Sequence, residues 1–402
     1  MNSVVRQMWE QNTDVVMVDT GNSYEGLCEY VGGKYISYTD EHPITMNPFA
    51  FKREELNIEK IGFLKNLIML IWKGTQGEVT KTEDRLIEQV ITEYFEEYFV
   101  KKQIENLSFN TFYEYSTVRI PQIIKENNLA GIDLAAYNYL LKDFYKGGSH
   151  ELTLNENLDT KLFDETFIVF EIDSIKDDPL LFPLVTLIIM DVFIQKMRIK
   201  KNRKVLVIEE AWKAIASPMM AEYIKYLYKT ARKFWASVGV VTQEIQDIVG
   251  SPIVKEAIIN NSDIVMLLDQ SKFRERFDEI KAILGLTDVD CKKIFTINRL
   301  ENKEGRSFFR EVFIRRGSVG GVFGVEEPHE CYMTYTTERA EKEALKLYKK
   351  ELQCDHQHAI EAYCRDWELS GITKSLPFAQ EVNQAGHVLR LKPKQEKGLN
   401  RL

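Results

Sequence analysis

The sequence predicts an α/β protein: a mostly parallel sheet with helices on both faces, an all-helical insertion, and further helices at the C-terminal end. Three observations predict it. Short apolar runs that end in an acid or a turn recur along the chain: DVVMVD (14–19), TFIVFE (166–171), KVLVI (204–208) and SVGVVT (237–242). Runs of this kind are strands buried on both faces, and the helical-length segments between them are the crossovers that parallel pairing needs. From about 58 to 159 the strand pattern gives way to long amphipathic stretches. The organisation expected is therefore 1–57 as the first part of the α/β core, 58–159 as the helical insertion, 160–336 as the rest of the core, and 337–402 as C-terminal helices with a basic tail.

Each element has a local reason. Val4, Val5, Met8 and Trp9 recur at helical spacing, so 3–10 is a helix leading into the strand 14–19. Thr20-Gly21-Asn22-Ser23 is a turn cluster; 24–30 then reads as a short helix, and 34–39 and MNPF (46–49) as extended. In the insertion, 58–72, 82–100, 108–127 and 132–144 are helices, punctuated by Gly74, Gly77, Asn106 and Gly147-Gly148. The α/β rhythm returns with helices at 179–198 and 218–234 between the later strands, then helix 251–260, strand 263–268 and helix 274–284. Late strands are expected at 307–315 and 329–334, then a charged helix or helix pair over 338–368 and a frayed tail from 389.

Composition narrows the class. The 53 Lys and Arg against 61 Asp and Glu leave a net charge of −8, and 44% of residues are hydrophobic. That is a globular chain with no electrostatic reason to wrap nucleic acid unspecifically. The most apolar segment, 180–194, contains Pro183 and Asp191 and falls short of the roughly eighteen uninterrupted apolar residues of a membrane span, so it reads as a buried helix. Five scattered cysteines form no disulfide framework, and the first residues carry no secretory signal, so a reducing cytoplasm is expected. Cys354, His356, His358 and Cys364 match no common zinc spacing. The aromatic residues of 91–115 recur at helical spacing with few interleaved cations, which is packing rather than base stacking.

The most informative stretch is VLVIEEAW (205–212). An apolar strand ending in two carboxylates has the layout of a Walker B site, in which one acid faces a water-coordinated Mg²⁺ and the next faces the water that attacks the γ-phosphate. Glu209 takes the magnesium side, although it is one methylene longer than the usual Asp, and Glu210 is the general base. Solvated acids opening a helix would look the same. The next apolar strand ends in Thr242 and Gln243, and a parallel neighbour would set Gln243 beside Glu210 as a sensor of phosphate and water. Asp19 closes the first strand on the edge where open α/β sheets bind ligands, with a role in the Gly21 turn as its plainer reading.

These stretches together resemble the TraG-type ATPases of conjugative transposons, type IV secretion ATPases related to FtsK-like and HerA-like motors. The resemblance is carried by VVMVDTGNSYEGLCEYVGGKYISY, MNPF, FEID, VLVIEEAW, ARKFWASVGVVTQ and REVFIRRG, spread over most of the chain. It implies a RecA-like fold, ATP and Mg²⁺ as cofactors, and a homo-oligomeric, hexameric ring. It also implies inner-membrane channel and coupling proteins as partners, and a cytoplasmic location peripheral to the inner membrane. Asp19 and Thr242 become nucleotide contacts, and Arg232 the first candidate for an arginine acting on a γ-phosphate, ahead of Arg274, Arg276 and Arg310. A non-catalytic scaffold for channel subunits and a DNA translocase or coupling protein are the alternatives, and direct contact with DNA stays open.

The family's phosphate loop, G-x-x-x-x-G-K-[ST], occurs nowhere in these 402 residues. The sequence is therefore read as a fragment beginning just after that loop. Without its backbone N–H groups and lysine the β and γ phosphates have no cradle. The chain alone is expected to hydrolyse ATP at or near background in a steady-state, magnesium-dependent assay; clear turnover would refute this.

Overall fold

The computed structural model describes residues 1–39, 41–157, 160–210, 218–242, 258–299 and 309–389. Two compact units emerge, one from 8–21 and 34–262, the other from 1–7, 22–33 and 263–402.

The first unit is built on a five-stranded sheet. Its strands are β1 (Thr13–Asp19), β2 (Lys34–Ser37), β3 (Phe167–Glu171), β4 (Arg203–Glu209) and β5 (Ala236–Val241). Their order is β2-β3-β1-β4-β5, and every pairing is parallel. All seven residues of β1 and all five of β3 are buried, so both faces of the sheet centre are covered. Helix Leu181–Ile199 joins β3 to β4 and is buried along almost its whole length, as expected of a crossover helix packed between layers. Helix Pro218–Ala231 and the short turn Arg232–Phe234 lead into β5.

The insertion begins with helix Ile58–Lys73, capped by the Asn57 side chain, which accepts from the Lys60 N–H. Helices Lys81–Phe95, Phe109–Glu126 and Leu134–Leu141 follow. Its aromatic residues form one buried cluster, in which Phe49 stacks on Phe112 at 5.1 Å and meets Tyr94 edge-on. Phe49 comes from MNPF, which is a turn and not the expected extended segment. Asn47 explains the difference: its side chain accepts from the Phe49 N–H and donates to the Leu107 carbonyl, a local bond that competes with strand pairing.

The second unit contains an antiparallel sheet of β6 (Ile264–Leu267), β7 (Phe309–Arg316) and β8 (Val319–Glu326). β8 was not expected, because VGGVFGVE carries three glycines. Those glycines are packing sites: a Cβ on Gly324 or Gly320 would overlap the ring of Phe309 or Phe313. The segment expected as a strand at 329–334 is instead helix His329–Tyr335. Pro328 opens it, with Tyr332 N–H donating to the Pro328 carbonyl, and a proline at a helix start outweighs the alternating apolar pattern. Helices Arg339–Leu352, His356–Ser370 and Ser375–Ala385 form a second core around Tyr348, Tyr363, Trp367 and Phe378.

One buried ion pair ties the insertion to the sheet layer. Lys60 Nζ meets Asp191 Oδ2 at 2.8 Å, Gln195 donates to the same oxygen, and the Phe51 and Phe63 rings flank the ammonium. Removing one partner leaves a buried charge uncompensated. Lys60→Met is expected to destabilise by about 3–5 kcal/mol, while Lys60→Met/Asp191→Leu recovers most of the loss; urea midpoints of the two variants check this, and equal midpoints would contradict it.

Candidate functional site

Parallel pairing decides what gathers at the carboxyl edge of the first sheet. Asp19 is directly opposite Glu171, and Val18 opposite Ile208, so the next residue in that register, Glu209, flanks Asp19 on its other side. Neighbouring strands lie about 4.8 Å apart, so three carboxylates stand in a row on three adjacent strand ends. Asp19 and Glu171 are buried and Glu209 is half-buried. Glu171 accepts from the Tyr35 hydroxyl at 3.2 Å and from the Asp173 N–H at 2.8 Å, which fixes its carboxylate. Sequence reasoning named Asp19 and Glu209 but missed Glu171. The signal was present: TFIVFE ends in an acid just as DVVMVD and VLVIEE do.

Glu210 leaves β4 with φ 48°, in the left-handed region. A side chain there costs about 1–2 kcal/mol relative to ordinary geometry, and such residues concentrate where a turn must aim a functional group. Here it ends the strand abruptly at the edge that holds the other carboxylates. On β5, Val241 is opposite Glu209, which brings Thr242 level with Glu210. Gln243 lies outside the described residues, so the expected Glu210–Gln243 pairing is followed only as far as Thr242.

The arginines fall elsewhere. Arg232 is exposed in the turn before β5, at the amino edge of the sheet, the opposite edge from Glu209 and Glu210. It therefore does not share an edge with the carboxylates of its own subunit. Arg274, exposed and placed over the Phe295 ring at 5.0 Å, belongs to the second unit, as do Arg276 in the turn Ser271–Arg276 and Arg310 on β7.

A row of acids at the carboxyl ends of parallel strands, closed by a strained glutamate, is a ligand edge of an α/β nucleotide fold. The family model of the TraG P-loop domain matches residues 1–367. The chain belongs to the TraG P-loop domain family. Protein TraC of Escherichia coli (strain K12) is 21% identical over 287 residues, 69% of this chain and 31% of TraC. The chain thus spans about a third of the length of that curated relative. Among solved structures, VirB4 of Thermoanaerobacter pseudethanolicus aligns with a TM-score of 0.57 at 19% identity, over 81% of this chain and 85% of that one. The bacterial conjugative coupling protein TrwBΔN70 aligns with 0.51 at 12% identity, over 81% of each chain. TrwB in complex with ADP and Mg²⁺ aligns with 0.50 at 12% identity and the same coverage. At these identities the likeness carries the fold, and the RecA-like sheet with its covering helices is shared.

The residues present fit Mg²⁺ and nucleotide in part. Mg²⁺ keeps most of its waters and takes one or two carboxylates plus phosphate oxygens; a single strand-end acid such as Glu209 meets that need. Among the described residues no group of three or more His, Cys, Asp or Glu side chains could hold an ion directly. The phosphate cradle is not among the 402 residues. The left-handed backbone at 210 makes its own prediction: Glu210→Gly should be more stable than Glu210→Ala by about 1 kcal/mol, the reverse of the order in a strand interior. Thermal midpoints compare the two, and a more stable Ala variant would place 210 in ordinary geometry.

Proposed function

We propose that the chain is the ATP-hydrolysing segment of a type IV secretion motor of the conjugative kind, working as a ring at the cytoplasmic face of the inner membrane. Residues 1–57 and 160–336 are assigned to the motor core, 58–159 to a helical insertion and 337–402 to C-terminal helices. The observation that carries the reading is the strand end itself: Glu209 and a left-handed Glu210, level with Thr242 and in line with Asp19 and Glu171. Family membership and the folds of VirB4 and TrwB support it. Bound Mg²⁺·ATP would supply the electrophilic phosphate and the neutralising charge.

Within this reading, the half-buried Glu209 carboxylate would help hold Mg²⁺ through a coordinated water. Glu210 takes the proton of the attacking water, because its turn sets the carboxylate beyond the strand end. Thr242 supplies a hydroxyl at the neighbouring strand end, and Gln243 orients the same water. Glu171, held by Tyr35 and the Asp173 N–H, keeps Asp19 company on the inner strands and limits how far that buried edge can shift. Arg232, on the far edge of its own sheet, acts on a nucleotide only from a neighbouring copy, which is the arrangement a ring provides. Channel subunits and coupling proteins are the partners proposed.

The test uses the full-length protein containing a Gly-Lys-Ser or Gly-Lys-Thr loop. Glu210→Gln should lower kcat by about 10²–10⁴-fold with KM little changed, the loss expected of a general base. Equal turnover by the two proteins would favour a non-catalytic scaffold. A coupling protein that grips the transferred strand would show tight DNA binding that weakens steeply with salt.

A further inference from the structure

We infer that the amino edge of the five-stranded sheet is a contact surface for an anionic lipid membrane. The inference does not depend on ATP hydrolysis. At this edge Trp235 is 71% exposed and Ile199, the last residue of its helix, is 59% exposed. Large apolar side chains so open to water lose the burial that ordinarily offsets their hydration cost. Trp235 adopts the left-handed conformation, φ 56° and ψ 36°, at the end of the Arg232–Phe234 turn. The left-handed backbone is what ends the turn, but the indole ring it presents stays open to water.

Cations surround it. Lys201, Arg203 and Lys233 are all exposed. Arg203 falls beside Trp235, because the register pairs Lys204 with Ala236 and the Lys204 N–H donates to the Trp235 carbonyl at 3.0 Å. Three of the acids nearby are already engaged: Asp164 with Lys200 at 2.6 Å, Asp14 with Lys196 at 3.0 Å, and Glu59 with Arg198. These three exposed cations form no ion pair among the described residues. In a chain of net charge −8 this edge is a local excess of positive charge.

The surface is also rigid. Lys204 is 1% exposed, and its ammonium donates to the Asn202 carbonyl at 2.5 Å and the Phe234 carbonyl at 3.3 Å, clamping the loop before β4 to the turn before β5. Burial lowers the Lys204 pKa below the usual lysine range, and the nearby Asp14 carboxylate partly opposes the shift. Trp9 stands on the same edge, its indole N–H on the Thr166 hydroxyl at the start of β3.

Indole rings at the headgroup level, an aliphatic side chain and lysines or arginines facing anionic headgroups make up the chemistry of a peripheral membrane contact. A single-stranded polynucleotide would use the cations and Trp235 but has no use for Ile199, which cannot stack on a base. The occupant that accounts for every exposed group is an acidic bilayer surface.

Flotation of the full chain with vesicles tests this. The chain should float with phosphatidylcholine vesicles containing phosphatidylglycerol, and less in high salt or with phosphatidylcholine alone. Arg203→Gln and Lys233→Gln should each weaken binding roughly fivefold, and Trp235→Ala and Ile199→Ser should weaken it while leaving the thermal midpoint in place. The Ile199 and Lys233 variants alter exposed side chains, so they remain readable should Trp235→Ala misfold. Equal binding to neutral and acidic vesicles, no binding, or indifference to all four substitutions overturns the proposal. So does an oligo-dT that binds and is weakened by these substitutions while vesicles do not bind, which would make the edge a polynucleotide surface.

Discussion

The parallel register of β3, β1 and β4 is the constraint from which the candidate site follows. Parallel pairing sends every strand's carboxyl end to one edge. Because the three strands stop within one residue of each other, Glu171, Asp19 and Glu209 are brought level. A slip of one residue would turn the whole side-chain set of a strand to the other face of the sheet. Such a slip is resisted here because every side chain of β1 and β3 is buried. The register is therefore enforced by apolar burial along the strands, and the acidic edge is a by-product of packing that chemistry can use.

Much of this was legible in the sequence, for a physical reason. Buried parallel strands are continuous apolar runs, and KVLVI or SVGVVT has few other conformations that hide so many β-branched residues. The helical insertion was legible because its apolar residues recur at helical spacing and are closed by caps such as Asn57 and Thr80. The misses share a different cause. β8 went unseen because its glycines serve the rings of Phe309 and Phe313 on a neighbouring strand, information that no local pattern holds. Helix His329–Tyr335 stands where a strand was expected, because Pro328 opens a helix there. Glu171 escaped as a site residue because its importance comes from standing beside Asp19, just over 150 positions away in the chain, and pairing at that separation is not written in either segment.

The two edges of the same sheet carry opposite charge. The carboxyl edge gathers Asp19, Glu171, Glu209 and Glu210, and the amino edge gathers Lys201, Arg203, Arg232 and Lys233. Near the amino edge the buried charges are engaged internally: Asp14 with Lys196, and the Lys204 ammonium with the Asn202 and Phe234 carbonyls. This separation places Arg232 on the opposite edge from the carboxylates of its own subunit. It also explains how a chain of net negative charge presents a cationic surface at one place.

The two edges are joined by matched lengths of chain. β4 runs from Arg203 to Glu209, and the helix Pro218–Ala231 returns antiparallel to it, ending at the turn that presents Trp235. Fourteen helical residues rise about 21 Å, close to the length of the seven-residue strand beside it. Lys204 then fastens the two ends of the unit together through the Asn202 and Phe234 carbonyls. Glu210 and Trp235, both left-handed, bound this return, one at each edge of the sheet, so the strand ends and the turn that precedes the next strand are set by backbone geometry as much as by side-chain packing.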